Sequence, residues 1–120
     1  MAFSFENLRV WQESLDLSEK INALIKKFPS EEKYVLSSQI QRAADSICLN
    51  IAEGSTGQTK SEFNRFLGIA LRSGIEVIAC LYLAKRRNLI DEIVFRNLYE
   101  SVEHNIKGIQ ALRNTLTQKP

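Results

Sequence analysis

What this chain has little of narrows its chemistry first. It holds two cysteines, Cys48 and Cys80, one histidine, His104, two prolines and five glycines in 120 residues. Isolated cysteines with no CxxC exclude a disulfide framework and a thiolate zinc site, so both read as buried free thiols in a reducing compartment. One histidine leaves a metal site short of the three or four converging ligands it needs. Few prolines and glycines leave little to interrupt helices. Neither sign of charge dominates, because 16 basic against 14 acidic residues give a net +2. That balance allows a nucleic-acid or acidic-protein partner without demanding one. The opening residues Met1-Ala2-Phe3-Ser4-Phe5-Glu6 have no basic or apolar stretch of the kind that marks export, and the expected location is the cytoplasm. The longest apolar stretch, Phe66 to Ala84, carries Arg72 and Glu76 near its middle. Charges there are costly in lipid, whereas as an i,i+4 pair they suit a soluble helix, so no membrane is expected.

The residues that are present repeat with helical spacing, and they predict a single all-α domain over 1–120. Leu8, Trp11, Leu15, Leu17, Ile21, Leu24 and Phe28 give a first helix over Phe5 to Phe28, stopped by Pro29. Ser30 is the expected N-cap of a second helix, Glu31 to Glu53, with Glu31 and Glu32 favourable in its first turn. Gly54 is placed to end it in the left-handed conformation. Thr59-Lys60-Ser61-Glu62 has capping-box form and starts a third helix, Lys60 to Arg87, whose basic last turn precedes Asn88 as its C-cap. Asp91 then caps a fourth, Glu92 to Leu116, with Asn105 at one position of a heptad-like apolar stripe. Short connections make sequence neighbours antiparallel neighbours in space, which gives an up-down-up-down four-helix bundle.

No catalytic constellation emerges. His104 lies beside Glu103 and could meet Glu100 one turn away, the serines lack His and Asp partners in a recognisable motif, and Ala52-Glu53-Gly54-Ser55-Thr56-Gly57 matches no nucleotide loop. The expectation is a non-enzyme without metal or cofactor. The second helix is more informative. Gln39, Arg42, Ser46, Asn50 and Glu53 form a polar column beside the core stripe Leu36, Ile40, Ala43, Ile47 and Ile51. The column is either a hydrogen-bond network, with Arg42 bridging to Glu76 or Glu53, or a ligand-contacting row. Its back, including Ser37, Ser38, Gln41, Cys48 and Leu49, is nearly uncharged, as is the third helix. Such helices are buried on most sides, which implies another copy of the chain, unless the small polar residues simply face water.

Four strings carry a resemblance: Phe5-x-x-Leu8-x-Val10-Trp11-Gln12; Phe28-Pro29; Tyr34-x-Leu36-x-x-Gln39-Ile40-x-Arg42-Ala43-Ala44-x-Ser46-Ile47-x-x-Asn50-Ile51-Ala52-Glu53-Gly54; and Phe63-x-x-Phe66-Leu67-x-Ile69-Ala70-x-x-Ser73. They resemble the bacterial four-helix bundle family that includes proteins encoded in intervening sequences of 23S rRNA genes, and the chain is similar to the accessory protein of diversity-generating retroelements. The resemblance implies a small homo-oligomer, a ring of five, that binds nucleic acid or a nucleic-acid-processing enzyme. No catalytic residue carries over. The basic residues available to phosphate are Lys60, Arg65, Lys85, Arg86, Arg87, Arg96 and Arg113, with solvated surface and dipole complement as their other reading. A protein-interaction scaffold with no nucleic-acid contact remains the alternative.

Overall fold

The computed structural model describes residues 2–117. Its elements are α1 (Arg9–Ile25), α2 (Leu36–Ser55), α3 (Lys60–Arg86) and α4 (Glu92–Thr117), with short 3₁₀ turns at Ser4–Asn7 and Ser30–Glu32. The helices form an antiparallel bundle 50 Å long, and the described residues include no strand. Of the tail Thr117 to Pro120, expected to fray, Thr117 is still helical as the last residue of α4, and residues 118–120 lie outside the described residues. The core is drawn from every helix: Leu17 and Ile21; Ile40, Ile47 and Ile51; Leu67, Val77 and Leu81; Leu98, Val102 and Ile109. Trp11 and Ile78 pack half-buried against its edge. The length and apolarity of α3 suffice to cross a membrane, yet Leu67, Ala70, Val77 and Leu81 are buried in the bundle core.

Caps set by sequence neighbours form largely as expected. Thr59 Oγ1 accepts from the Glu62 backbone N–H at 3.0 Å, and Asp91 Oδ1 accepts from the Val94 N–H at 2.8 Å. Arg87 takes the C-cap of α3, and Asn88, expected there, stands one residue further on with φ 59°, so the Leu89 N–H reaches the Ala84 carbonyl at 2.9 Å and the Asn88 N–H reaches that of Lys85 at 3.0 Å. This is the Schellman closure, with asparagine tolerating the left-handed position.

Other boundaries differ from expectation. The first helix is broken at Leu8, whose ψ of 125° is extended. The Phe3 N–H bonds Glu6 Oε1 at 3.0 Å, and Phe5 packs edge-on against Trp11 with centroids 4.9 Å apart; both hold the preceding turn as a separate piece. Leu15 is exposed because Ser14, fully buried, takes the inward position in the run Val10, Ser14, Leu17, Ile21. Ser30 heads only a 3₁₀ turn, and α2 begins five residues later than Glu31, after Val35 with φ −116° and ψ −97°.

Gly54 does not end α2 in the left-handed region. It stays helical, and the chain leaves the helix at Thr56. A Cβ at Gly54 would lie 2.5 Å from the Phe66 Cβ, so glycine here lets α2 approach α3. Gly74 does the same between α3 and α4, where a Cβ would meet Ile106 Cγ1 at 2.8 Å.

Candidate functional site

The polar column lies on the α2 surface that borders α3. Asn50 Nδ2 donates to the Ser46 carbonyl at 2.8 Å and to Ser46 Oγ at 3.0 Å. Ser73 Oγ, from α3, lies 2.9 Å from Ser46 Oγ and 3.1 Å from the Ile69 carbonyl. Gln39 Nε2 reaches Glu76 at 3.5 Å. Ser46, Asn50 and Gln39 therefore do join α2 to itself and to α3. Arg42 does not bridge to Glu76 or Glu53, and Arg72 and Glu76 form no ion pair among the described residues. Both arginines are exposed, where water solvates a guanidinium at little cost. Arg42, Gln39, Ser46, Ser73, Glu76 and Tyr34 line an open recess of about 630 Å³. Glu53 is exposed, and Gly54 serves the helix contact already described.

The nearly uncharged back of α2 has part of its explanation inside the chain. Ser18 of α1 bonds Asp45, Gln41 Nε2 donates to Asp45 Oδ1 at 2.8 Å, and Asn22 Nδ2 donates to Gln41 at 3.2 Å. Ser37, Ala44 and Cys48 are buried. α1 therefore covers part of this side, which accounts for Ser37, Gln41 and Cys48 without a second copy. Leu49, of the same back, stays uncovered at 63% exposed, and Ile75 on α3 is 53% exposed. Ile69 and Leu83 are also exposed on α3.

The basic candidates do not converge. Lys60 and Arg65 stand at the start of α3 beside Arg113 near the end of α4, whereas Lys85, Arg86 and Arg87 stand at the other end of α3 with Arg96. At about 1.5 Å rise per residue, roughly 30 Å separates Arg65 from Lys85. Lys85 and Arg96 both pair with Glu92, Lys85 also lies 4.6 Å from the centre of the Phe95 ring, and Arg87 pairs with Glu32 at 3.2 Å. The Lys85 hydrogen bond, more than the Arg96 charge, holds the exposed Glu92 carboxyl below its usual range. Arg113 Nε donates to Asn64 at 3.0 Å, and Arg65 stacks on Phe66 at 4.6 Å. Lys60 and Arg86 form no ion pair among the described residues.

His104 meets Glu13 of α1 at 2.8 Å, in place of Glu100 on its own helix. No group of three or more His, Cys, Asp or Glu among the described residues could hold a metal. Cys48 and Cys80 are buried free thiols. Burial pushes both thiols up, with Asp45 adding to the effect at Cys48 and Glu76 at Cys80.

Comparison with known proteins follows the same lines. The chain matches the sequence profile described as 23S rRNA-intervening sequence protein over residues 6–111. It is similar to a crystal structure of a protein of unknown function from the S23 ribosomal protein family of Bacteroides thetaiotaomicron, with a TM-score of 0.82 and 28% identity, covering 88% of this chain and 95% of that one. No functionally curated protein matches it. The match spans the capped starts of α3 and α4, the polar column and the glycine contacts, and so the chain belongs to the 23S rRNA-intervening sequence protein family.

Proposed function

We propose that the protein is a non-catalytic bundle that associates with copies of itself through the outer face of α2 and α3, and that the assembly engages nucleic acid or an enzyme that acts on it. The observation that carries the association is the exposure of Leu49 on α2 and of Ile69, Ile75 and Leu83 on the adjacent α3. Large side chains left in water along one face are what an interface between copies removes from water. Arg42, Arg72, Glu53 and Glu76 on the same face supply both signs of charge, which lets one copy complement another. A homopentameric ring is the form implied by the family resemblance. Sedimentation of the wild type should give a species several times 13.7 kDa, and Leu49→Glu with Ile75→Glu should return it to monomer with its helical signal intact. A wild-type monomer at micromolar concentration would refute the association.

For nucleic acid, the support is the family itself together with the cations that carry no paired carboxylate. Binding to structured RNA should weaken steeply with salt. Replacing Lys60, Arg65 and Arg86 should flatten that dependence more than replacing Lys85, Arg87 and Arg96, whose charges are already paired. That pairing favours the second reading, a protein scaffold with no nucleic-acid contact, and salt-independent partner capture that survives nuclease would select it.

A further inference from the structure

The head of α2 is built unlike the heads of α3 and α4. Thr59 and Asp91 place side-chain oxygens on the first free N–H groups of those helices, whereas α2 starts after Val35, which has no such oxygen to offer. The first internal bond of α2 runs from the Gln39 N–H to the Val35 carbonyl. The N–H groups of Leu36, Ser37 and Ser38 are therefore left without an acceptor among the described residues, and they carry the positive end of the helix dipole.

A helix start alone would carry nothing, but a second observation points the same way. Ser37 is only 6% exposed as a residue and its hydroxyl makes no hydrogen bond to protein among the described residues, yet its oxygen is not fully buried and so opens onto the cavity it lines. Its donor and acceptor capacity is left for whatever occupies that cavity. Ser37 lines a recess of about 410 Å³ between the end of α1 and the head of α2. The same recess is lined by Lys26, Lys33 and Arg42, by the hydroxyl residues Ser30 and Ser38, and by no Asp or Glu. None of those three cations forms an ion pair among the described residues. Three cations, free backbone donors and a hydroxyl without a protein partner facing one cavity with no acidic side chain are complementary to an anion with several acceptor oxygens.

We propose that this recess binds a phosphate group, with the α2 N–H groups and Ser37 donating to its oxygens and Lys26, Lys33 and Arg42 balancing its charge. The site goes beyond the assembly described above. It opens between the end of α1 and the head of α2, shares Ser38 and Arg42 with the recess on the α3 side, and involves none of the seven basic residues selected from the sequence. The phosphate belongs either to a polynucleotide or to a small free phosphate compound, and the ligands of the test separate the two.

The test titrates the full chain at low salt with inorganic phosphate, AMP, and a short single-stranded RNA with and without a 5′-phosphate, followed by calorimetry and ³¹P line broadening. Saturable binding of at least one of these is expected. Lys26→Gln with Lys33→Gln should weaken it by about tenfold or more, and Ser37→Ala by about tenfold, the size of one hydrogen bond to a charged group. Ser37→Ala should leave the thermal midpoint unchanged, because its hydroxyl bonds no protein group; this separates a binding role from a structural one. RNA that displaces inorganic phosphate with a steep salt dependence assigns the site to a polynucleotide. Binding of phosphate and AMP without RNA assigns it to small phosphate compounds. The absence of binding by all four ligands, or equal binding by wild type and variants, overturns the proposal. Loss of RNA binding on replacing Lys60, Arg65 and Arg86 with phosphate binding retained would bear on the surface proposed earlier and leave this site standing.

Discussion

Gly54→Ala should destabilise the bundle, although alanine ordinarily strengthens a helix. The intrinsic preference favours alanine by about 1 kcal/mol in a helix interior, and by less at Gly54, which lies in the last turn of α2. Against this, the new Cβ would sit 2.5 Å from Phe66 Cβ and 3.1 Å from Phe63 Cδ1. Carbon atoms pack best at about 3.5–4.0 Å, and Phe66 Cβ is fixed to the α3 backbone, so no rotamer change relieves the contact. The two helices must move apart by roughly 1 Å, and overpacking of this kind costs about 1–3 kcal/mol. A net loss of about 1–2 kcal/mol follows. Gly68 supplies the opposite case, because its nearest foreign atom is Arg113 Nη2 at 3.4 Å, the far end of a flexible side chain. Gly68→Ala should gain about 0.5–1 kcal/mol. Gly74→Ala should fall between the two, since Ile106 can partly rotate away. Equilibrium urea unfolding followed by circular dichroism, at one fixed protein concentration, orders the set. A Gly54→Ala midpoint at or above wild type, or a Gly68→Ala midpoint below it, would refute the reasoning.

Asn105, 1% exposed, donates from Nδ2 to the Val10 carbonyl at 3.1 Å while its Oδ1 has no partner. Asn105→Leu should therefore raise the unfolding free energy by about 1 kcal/mol, and a loss of 2 kcal/mol or more would mean the amide holds α1 and α4 together. Asp91→Ala should cost about 1 kcal/mol by urea unfolding and shift hydrogen exchange first at the start of α4, with no loss pointing to a cap dispensable in solution. Cys48 and Cys80 should react slowly with a thiol reagent at pH 8 in the native protein and rapidly in urea, and a fast native phase would contradict their burial. Because folding raises both thiol pKa values, the unfolded chain loses these protons first. Their stabilisation is complete below about pH 8.5 and declines as pH rises toward the folded values, so the urea midpoint should fall on the alkaline side.

Features that depend on nearby residues are legible in the sequence itself. Helical periodicity and the caps at Thr59, Asn88 and Asp91 involve groups a few positions apart, and these caps place three helix boundaries within one residue of where the structure has them. The separate 3₁₀ turns have no such signal, because Leu8 and Val35 are not breakers in their own right. Only the fold shows that Ser14 takes the inward place beside Leu15, that α1 covers part of the uncharged back of α2, and that Gly54 answers to Phe66 on another helix.

The candidate surfaces divide in the same way. Amino-acid order alone dictates the inventory of chemistry: one histidine, two unpaired cysteines, a polar column on one face of a helix, and basic residues scattered along α3 and α4. Docking of the helices settles which of those charges remain available, because Glu92 and Glu32 neutralise Lys85, Arg96 and Arg87 across turns and between elements. It also assembles Lys26, Lys33 and Arg42 around the uncapped head of α2, a grouping with no signature in spacing. The difference is one of range. Propensity, periodicity and capping act through the covalent chain over a turn or two, whereas charge pairing, close packing and burial depend on distances that exist only after the helices have docked.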